Sequence, residues 1–470
     1  MTKVRNSRFR LTLIHPCVGK RKGMRKYIRT WLMEPLPPAM LAALAPSYVD
    51  TKFYDDRLED IPFDEPTDLV ALSVETYTAK RAYQIATEYR KRGVPVVMGG
   101  FHATLCPKEV SEYSDSILIG EAEGLFAQLI DDYQNGTPKK VYKSKVRPSV
   151  LGASPDRSIF RGKRYLPINL VEFSRGCKFV CEFCAIQSAY NATHRCRPIE
   201  NVIEEVKRIR KPGRMIFFID DNLTSNLDAA KELMRQLIPL KVRWVSQCDI
   251  SVAYDPEALE LMKRSGCQGV LVGFESLDRV TLKSMNKGFN MMQGGPVEAI
   301  SNFQKHGLRL YGTFIFGNDH DTPETFSQTL EFAIEQGLFI GAFNHITPFP
   351  GTPLYRRLEN EGRLIYENWW LDERYRYGDA PFSPGKMSPE QLSKYCIEAR
   401  EAFYSWNGIF RRLRRRVNYK DPWMFLNYLA INVMHQFDVS GRDGLPLGDE
   451  QWQGELLKSD DLNEVVLEIV

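Results

Sequence analysis

The sequence has no stretch of about 20 residues that is uniformly apolar, so it contains no evident membrane-spanning helix. Its opening segment, MTKVRNSRFRLTLIHPCVGK, holds only a short and interrupted apolar run, which does not match a secretory signal peptide. We therefore expect a cytoplasmic protein.

The chain also lacks an excess of charge of either sign. It carries 63 basic and 59 acidic residues, and a net charge of +4 gives no reason to expect a nucleic-acid partner. The chain has few cysteines, 9 in 470 residues, and their number is odd. Neither feature predicts a disulfide framework. Three of the nine lie within eight residues of one another, which indicates a metal site instead.

Short apolar runs alternate with helix-like stretches in the first part of the chain. The runs are residues 9–15, 51–55, 68–74, 94–98 and 116–119. This alternation predicts an α/β unit built on a doubly wound, Rossmann-like parallel sheet, which we expect to close near residue 140. Residues 141–165 have no clear period and predict a linker.

The same rhythm restarts after the predicted linker. Six strand patterns with helical patterns between them predict a partial (β/α)6 barrel of the TIM type over residues 166–355. Residues 356–470 have a helical, aromatic pattern and predict a mainly α segment. The six predicted strands are residues 169–173, 215–219, 243–247, 269–274, 309–316 and 341–347.

The clustered cysteines are Cys177, Cys181 and Cys184, which follow the first predicted barrel strand. That position puts three thiolates on a loop at the C-terminal mouth of the barrel, where the chemistry of such barrels takes place. Three ligands on a four-iron cluster leave one iron open to a substrate or cofactor. The alternative is a zinc site completed by His194 or Cys196.

The CxxxCxxC spacing, with the aromatic Phe183 before the last cysteine, resembles the motif of the radical S-adenosylmethionine (SAM) superfamily. The resemblance implies a [4Fe-4S] cluster whose open iron binds SAM and, after one-electron reduction, generates a 5′-deoxyadenosyl radical. It also implies an external electron donor of the flavodoxin or ferredoxin type.

Several later strands end in polar or glycine-rich tips that match the SAM-binding positions of that family in order and spacing. Each tip also has a simpler explanation as a helix cap or a turn. The SAM-binding residues implied by the resemblance are Phe183, Asp220, Asp221, Asn222, Gln247, Glu275, Gly312 and Gly317.

A doubly wound domain before such a barrel resembles the flavodoxin-like cobalamin-binding domain of cobalamin-dependent radical SAM enzymes. The usual Asp-x-His-x-x-Gly motif is absent, because the second strand ends in Tyr-Asp-Asp-Arg-Leu at residues 54–58. For His15 and His102 a hydrogen-bonded position at a strand end is the favoured interpretation over a cobalt ligand. The cobalamin-binding residues implied by the resemblance are Ser73, Thr76, Gly99, Gly100, Gly120 and Glu121.

The implied reaction is methylation of an unactivated carbon of a small-molecule, lipid, tetrapyrrole or natural-product substrate. A cobalamin-dependent cyclase, mutase or other non-methylating radical enzyme is the alternative. A non-catalytic Fe–S or zinc-binding protein is a further alternative from a different class.

Residues 411–416, with five arginines, precede an aromatic and apolar stretch at 423–431. A basic face beside an apolar face is compatible with peripheral contact to a membrane surface. A solvated arginine run next to a core helix is the favoured interpretation.

Overall fold

A computed structural model describes residues 8–24, 26–143 and 153–459 of the chain. The first large sheet has six parallel strands in the order β2-β1-β3-β4-β5-β6. This is the flavodoxin-like order with one further strand at its edge, so the predicted doubly wound sheet is confirmed. The strands are β1 (Phe9–His15), β2 (Val49–Asp55), β3 (Leu69–Ser73), β4 (Val96–Gly99), β5 (Ser116–Ile119) and β6 (Val141–Lys143).

Five helices cover the two faces of this sheet. Because parallel strands are buried on both faces, β3 and β4 consist almost entirely of buried apolar residues. Strand β6 occupies residues for which the sequence predicts a linker, and residues 144–152 of that linker lie outside the described residues. The helices are α1 (Leu36–Leu44), α2 (Ala79–Lys91), α3 (Phe101–Leu105), α4 (Pro107–Glu112) and α5 (Phe126–Gln134).

The second large sheet forms the predicted partial barrel. Its strands are parallel in the order β14-β13-β12-β11-β10-β7, and β14 and β7 do not pair in the part of the chain that the structure describes. A short antiparallel pair, β8 (Ser174–Gly176) and β9 (His194–Cys196), follows the first barrel strand. The barrel strands are β7 (Ile168–Val171), β10 (Met215–Phe218), β11 (Trp244–Cys248), β12 (Cys267–Glu275), β13 (Arg309–Phe316) and β14 (Ile340–His345).

The barrel helices begin at side-chain caps. The carboxylates of Asp255 and Asp278 and the amide oxygen of Asn226 each accept a hydrogen bond from the backbone N–H three residues later. Such caps fix where each helix leaves its strand, and therefore where the loops at the barrel mouth lie. The helices are α6 (Ala185–Tyr190), α7 (Ile199–Ile209), α8 (Leu227–Leu237), α9 (Pro256–Ser265), α10 (Arg279–Ser284), α11 (Gly295–Lys305) and α12 (Pro323–Glu335).

The C-terminal part is mainly helical and contacts both units. Helix α14 packs against β14, whereas Trp369, Trp370 and Tyr375 are buried in the core of the first unit. A short strand pairing of Gly448–Asp449 with Gly19–Lys20 extends the link to the first unit, and Arg376–Tyr377 pairs with Leu445–Pro446 within the C-terminal part. The helices are α13 (Pro353–Asn360), α14 (Pro389–Tyr404), α15 (Trp406–Arg412) and α16 (Pro422–Arg442).

The arginine run at 411–416 is not a uniform basic face. Arg412 is fully buried and donates to the carbonyls of Leu338 and Phe339, while its guanidinium lies 3.7 Å from the centroid of the Phe403 ring. The solvated-face interpretation is therefore wrong for Arg412, which belongs to the core. Among the described residues, we find no helix that combines the length and the hydropathy of a membrane span.

Candidate active site

The three clustered cysteines lie on the loop between β8 and α6, at the barrel mouth. Cys181 is buried, and this burial raises the pKa of its thiol to about 11. Burial also raises the pKa of Cys184, although the backbone N–H groups of Gln187 and Ile186 at the start of α6 favour its thiolate. Cys177 further raises the pKa of both thiols, so the three sulfur atoms share one electrostatic neighbourhood.

Two predicted SAM-binding residues, Asp220 and Asp221, hold the backbone before the cysteines. Asp220 accepts hydrogen bonds from the backbone N–H and the hydroxyl of Ser174, and Asp221 accepts one from the N–H of Gly176 at 2.7 Å. Burial raises the pKa of Asp220 to about 7 and that of Asp221 to about 6. Through these hydrogen bonds, both carboxyl groups position the loop that carries the cysteines.

Asn222 is the member of this strand end that reaches a cysteine. Its side-chain N–H₂ group lies 3.6 Å from the Sγ of Cys177 and donates to Asp249 at 3.1 Å. Gln247 lies on the less buried face of β11, between the buried Ser246 and Cys248. Asn222 is thus placed to donate toward the sulfur atom or toward a molecule bound beside it.

Glu275 at the end of β12 forms a buried ion pair with Lys287. Its backbone φ is +62°, a left-handed conformation that costs free energy and is concentrated at functional sites. Burial disfavours the charge of Lys287, but the charges of Glu275 and then Cys181 raise the pKa of its ammonium group. The Lys287 Nζ also lies 6.0 Å from the centroid of Phe183.

Sequence reasoning missed Lys287, because a single lysine 12 residues after a strand end belongs to no recognisable spacing. Only a folded structure shows that its charge is buried beside two of the cysteines. Phe183, which the sequence did single out, packs against the barrel core in the same region.

Gly312 and Gly317 have packing roles. A Cβ on Gly312 would lie 2.6 Å from the Leu338 side chain, and one on Gly317 would lie 2.6 Å from Leu392. Both contacts are with residues that pack around the barrel. A SAM-binding role for these glycines remains a prediction, with close packing as a sufficient reason for glycine at each position.

The residues of the zinc alternative face each other. The Sγ of Cys196 lies 4.0 Å from the Nδ1 of His194 on β9, and burial followed by Asp220 raises the pKa of Cys196 to about 11. Over the described ranges, no three His, Cys, Asp or Glu side chains are arranged to hold a single metal ion. That arrangement is not what a cluster requires, because each cysteine ligates a different iron.

A cavity of about 250 Å³ lies between the C-terminal edge of the first sheet and the barrel mouth. Its wall on the side of the first unit includes apolar residues of α1 and five of the six predicted cobalamin-binding residues. Glu172, Arg175 and Tyr190 line it from the barrel side. The five predicted residues are Ser73, Gly99, Gly100, Gly120 and Glu121.

Two of these glycines explain the shape of the cavity. Gly100 has φ +99°, and a Cβ there would lie 2.7 Å from the carbonyl oxygen of Val74. Gly120 has φ +84°, and its Cβ would meet no described atom within 4 Å. The first glycine is required by the turn, whereas the second leaves free space that a bulky cofactor can fill.

Thr76 does not line this cavity. Its hydroxyl contacts the Nδ1 of His102 at 3.3 Å, and the Nε2 of His102 lies 3.0 Å from Glu109. Both ring nitrogens of His102 are therefore used within the protein. His15 is half-buried, and desolvation followed by the charge of Arg57 lowers its pKa to about 3.

Glu121 connects the two units by charge. It forms an ion pair with Arg195 and lies 3.6 Å from Arg175, which also binds Glu123 at 2.7 Å. Arg175 belongs to the strand that leads into the cysteine loop. The cavity and the cysteines are thus held in fixed relation by a set of half-buried charges that the sequence did not reveal.

Comparison with known proteins agrees with this geometry. The family model "Radical SAM superfamily" matches residues 171–333. Bacteriochlorophyllide d C-12(1)-methyltransferase of Chlorobaculum tepidum is 33% identical over 407 residues, which cover 84% of this chain and 87% of that protein. Bacteriochlorophyllide d C-8(2)-methyltransferase of the same organism is 29% identical and covers 84% of this chain and 91% of that protein.

Among solved structures, the radical SAM methyltransferase TsrM from Kitasatospora setae, with cobalamin and a [4Fe-4S] cluster bound, has a TM-score of 0.63. It is 16% identical and covers 93% of this chain and 99% of that protein, so it establishes the shared fold. The chain belongs to the radical SAM superfamily, in the group that contains the bacteriochlorophyllide d methyltransferases. It is an enzyme of the class that uses SAM at a [4Fe-4S] cluster.

Proposed function

We propose that this protein is a cobalamin-dependent radical SAM C-methyltransferase that acts on an unactivated carbon of a tetrapyrrole-type substrate. The cavity that joins the two units carries this proposal. One wall comes from Gly99, Gly100 and Gly120 at the edge of the first sheet, and the other from residues next to the cysteine loop. A cofactor in that cavity would face the barrel mouth.

We assign the two cofactor sites to different parts of the fold. We assign cobalamin binding to residues 1–140 and SAM and cluster binding to residues 166–355, with Cys177, Cys181 and Cys184 as the iron ligands. When bound, the cluster and SAM supply a radical that removes hydrogen from carbon, and cobalamin supplies the methyl group.

The protein's own contribution is to position the two cofactors relative to each other. Asn222 is placed to donate toward the cluster side, and the Glu275–Lys287 pair keeps a fixed charge next to Cys181 and Cys184. The ion pairs of Glu121 and Glu123 with Arg175 hold the two cofactor sites in a fixed position relative to each other. Such alignment of reacting groups is the main source of rate in this proposal.

The choice of a large planar substrate rests on an aromatic wall between the two units. Tyr377 lies 5.1 Å from Trp31 and 5.2 Å from Tyr77, measured between ring centroids. The Tyr77 hydroxyl is 3.4 Å from that of Thr347, just after β14, so the wall spans the edges of both sheets. Aromatic faces suit a conjugated macrocycle, and two relatives are named for methylation of bacteriochlorophyllide d.

Anaerobically purified, reconstituted protein provides the test. We expect bound iron, sulfide and cobalamin, formation of 5′-deoxyadenosine with SAM and a reductant of the flavodoxin type, and a gain of one methyl group by bacteriochlorophyllide d in mass spectrometry. The C177A variant should form no deoxyadenosine.

Each failure has a distinct meaning. Deoxyadenosine without cobalamin binding contradicts the assignment of the first unit. A product that is rearranged or cyclised without added mass supports the alternative radical outcome. Absence of SAM cleavage by the wild type, together with full metal retention by C177A, contradicts the catalytic proposal itself.

A further inference from the structure

One side of the cysteine loop lies at the protein surface. Lys178 and Val180, which stand between the first two cysteines, are both exposed, Val180 by 51%. Phe179 between them stacks on Phe289, with the two ring centroids 4.1 Å apart. Because the two cysteines directly flank these three residues, this surface lies next to two of the proposed iron ligands.

Helix α10 and the residues after it extend this surface. The side-chain N–H₂ group of Asn286 donates to the carbonyl of Val180 at 3.4 Å, and the N–H of Glu182 donates to the carbonyl of Met285 at 3.2 Å. Val280 on the same short helix is 56% exposed. The cysteine loop and α10 therefore form one continuous surface that carries two exposed valines.

The basic side chains of this surface are unpaired in the described ranges. Lys178 of the cysteine loop and Arg279 and Lys283 of α10 are exposed, and none of them forms an ion pair there. Arg279 and Lys283 are four residues apart, so they lie on one side of the helix. A partner with acidic groups can therefore pair with all three without breaking an ion pair inside the protein.

The acidic side chains of the same segments are engaged within the protein. The Asp278 carboxylate accepts from the N–H of Thr281 at 2.7 Å and caps α10. Glu182 binds the guanidinium of Arg357 through both carboxylate oxygens, at 2.7 Å and 3.3 Å. The surface consequently presents exposed positive charge beside apolar side chains, which is the pattern that an acidic partner protein complements.

A small charged surface is sufficient for a redox encounter. Transient electron-transfer complexes bury less than about 1,200 Å² and depend on charge complementarity for their rate. A carrier protein is too large for the cavity of about 250 Å³ between the two units, so it has to approach the cysteines over an outer surface. The surface beside Val180 offers such an approach.

We propose that the surface formed by residues 178–180 and α10 docks the one-electron donor, an acidic protein of the flavodoxin type. The inference rests on the proposed function, which requires an electron at the cluster, and it adds the place where that electron enters. The reduced carrier loses one electron and the cluster gains it, and no bond forms or breaks in this step. A flavin presents an apolar ring edge that suits the exposed valines, whereas a second copy of this chain would set like charges against each other.

The test separates docking from cluster chemistry by the use of two reductants, a purified acidic flavodoxin and dithionite. The principal variant is R279E/K283E. The matched control is R208E/K211E, which reverses two exposed basic residues where α7 leads into β10, at the end of the barrel opposite the mouth. Binding of oxidised flavodoxin to the reconstituted enzyme is measured by titration calorimetry, and cluster reduction by stopped-flow absorbance without SAM.

At low salt we expect R279E/K283E to weaken flavodoxin binding and to slow flavodoxin-driven reduction by about tenfold or more, because attraction and steering are both lost. The difference from wild type should shrink at high salt, which screens exposed charges. The iron content of the variant and its reduction by dithionite should stay close to the wild-type values, and R208E/K211E should match the wild type with both reductants.

Three results would overturn the inference. They are unchanged flavodoxin binding by R279E/K283E, an equal slowing of its reduction by flavodoxin and by dithionite, and an equal loss in R208E/K211E. If the principal variant does not assemble its cluster, R279Q/K283Q decides in the same assays, with a smaller loss expected. Deoxyadenosine formation with dithionite but no methyl transfer to bacteriochlorophyllide d would contradict the proposed function and leave this inference standing.

Discussion

The carboxylate of Asp221 accepts a hydrogen bond from the backbone N–H of Gly176, the residue before Cys177, at 2.7 Å. Gly176 has φ +87°, and a Cβ there would lie 2.0 Å from the carbonyl oxygen of Thr193. The chain enters the cysteine loop through a conformation that requires glycine and is fixed by an acid from the next strand. Cluster assembly should therefore depend on residues that ligate no metal.

Replacement of Asp221 by alanine should lower the iron content after reconstitution by more than half, because the loop loses the acceptor that fixes Gly176. The measurement is iron and sulfide per chain, with the charge-transfer absorbance of the cluster as a second signal. The control is D228A, which removes an exposed carboxylate from the first turn of α8. Normal iron content in D221A would show that the cysteines find their positions without this contact.

Substitution of Gly120 by leucine should reduce cobalamin affinity at least tenfold, because the side chain enters the free space of the cavity. The matched control is G136L, since Gly136 has φ +74° and likewise no described atom within 4 Å of its Cβ position. Both variants should suffer a similar loss of stability, about 1–2 kcal/mol, from the left-handed backbone. Equal cobalamin binding by G120L and G136L would place the cofactor elsewhere.

The sequence predicted the fold class and the family correctly because both depend on local, repeated signals. Alternating strand and helix patterns define the two sheets, and the cysteine spacing with Phe183 defines the superfamily. Strand β6 was missed, since three residues that pair only at a sheet edge have no pattern of their own.

Site residues were harder to predict because their roles depend on distant contacts. Thr76 resembles the other strand-end residues in sequence, yet its hydroxyl contacts His102 and it lies outside the cavity. Gly312 and Gly317 follow the expected spacing, but side chains from later segments fill the adjacent space. No local sequence pattern predicts a role for Lys287, because that role depends on the position of Lys287 beside Glu275 in the folded chain.

Removal of one partner of the buried Glu275–Lys287 pair should be strongly destabilising. K287M leaves the Glu275 carboxylate buried and unpaired, which costs on the order of 3–5 kcal/mol, whereas the double variant E275Q/K287M should recover much of that loss. The measurement is thermal unfolding of the cluster-free protein, so that metal binding does not contribute. Additive losses in the double variant would mean that the two side chains do not interact energetically.

The buried carboxyl of Asp220 should make stability depend on pH in an unusual direction. Burial raises its pKa from 3.8 to about 7, so the folded protein holds a proton that the unfolded chain releases. The stabilisation linked to that proton is complete below about pH 4 and is lost as the pH rises toward 7, by on the order of 4 kcal/mol. Histidines with lowered pKa oppose this trend, because they destabilise the folded state at low pH.

The difference between wild type and D220N in unfolding free energy isolates the Asp220 contribution, since the histidines are common to both. Measured from pH 5 to pH 8 on cluster-free protein, the wild type should lose stability relative to D220N up to about pH 7 and run parallel to it above. A difference that stays constant over the whole range would show that Asp220 is ionised throughout and that its hydrogen bonds from Ser174 offset the burial.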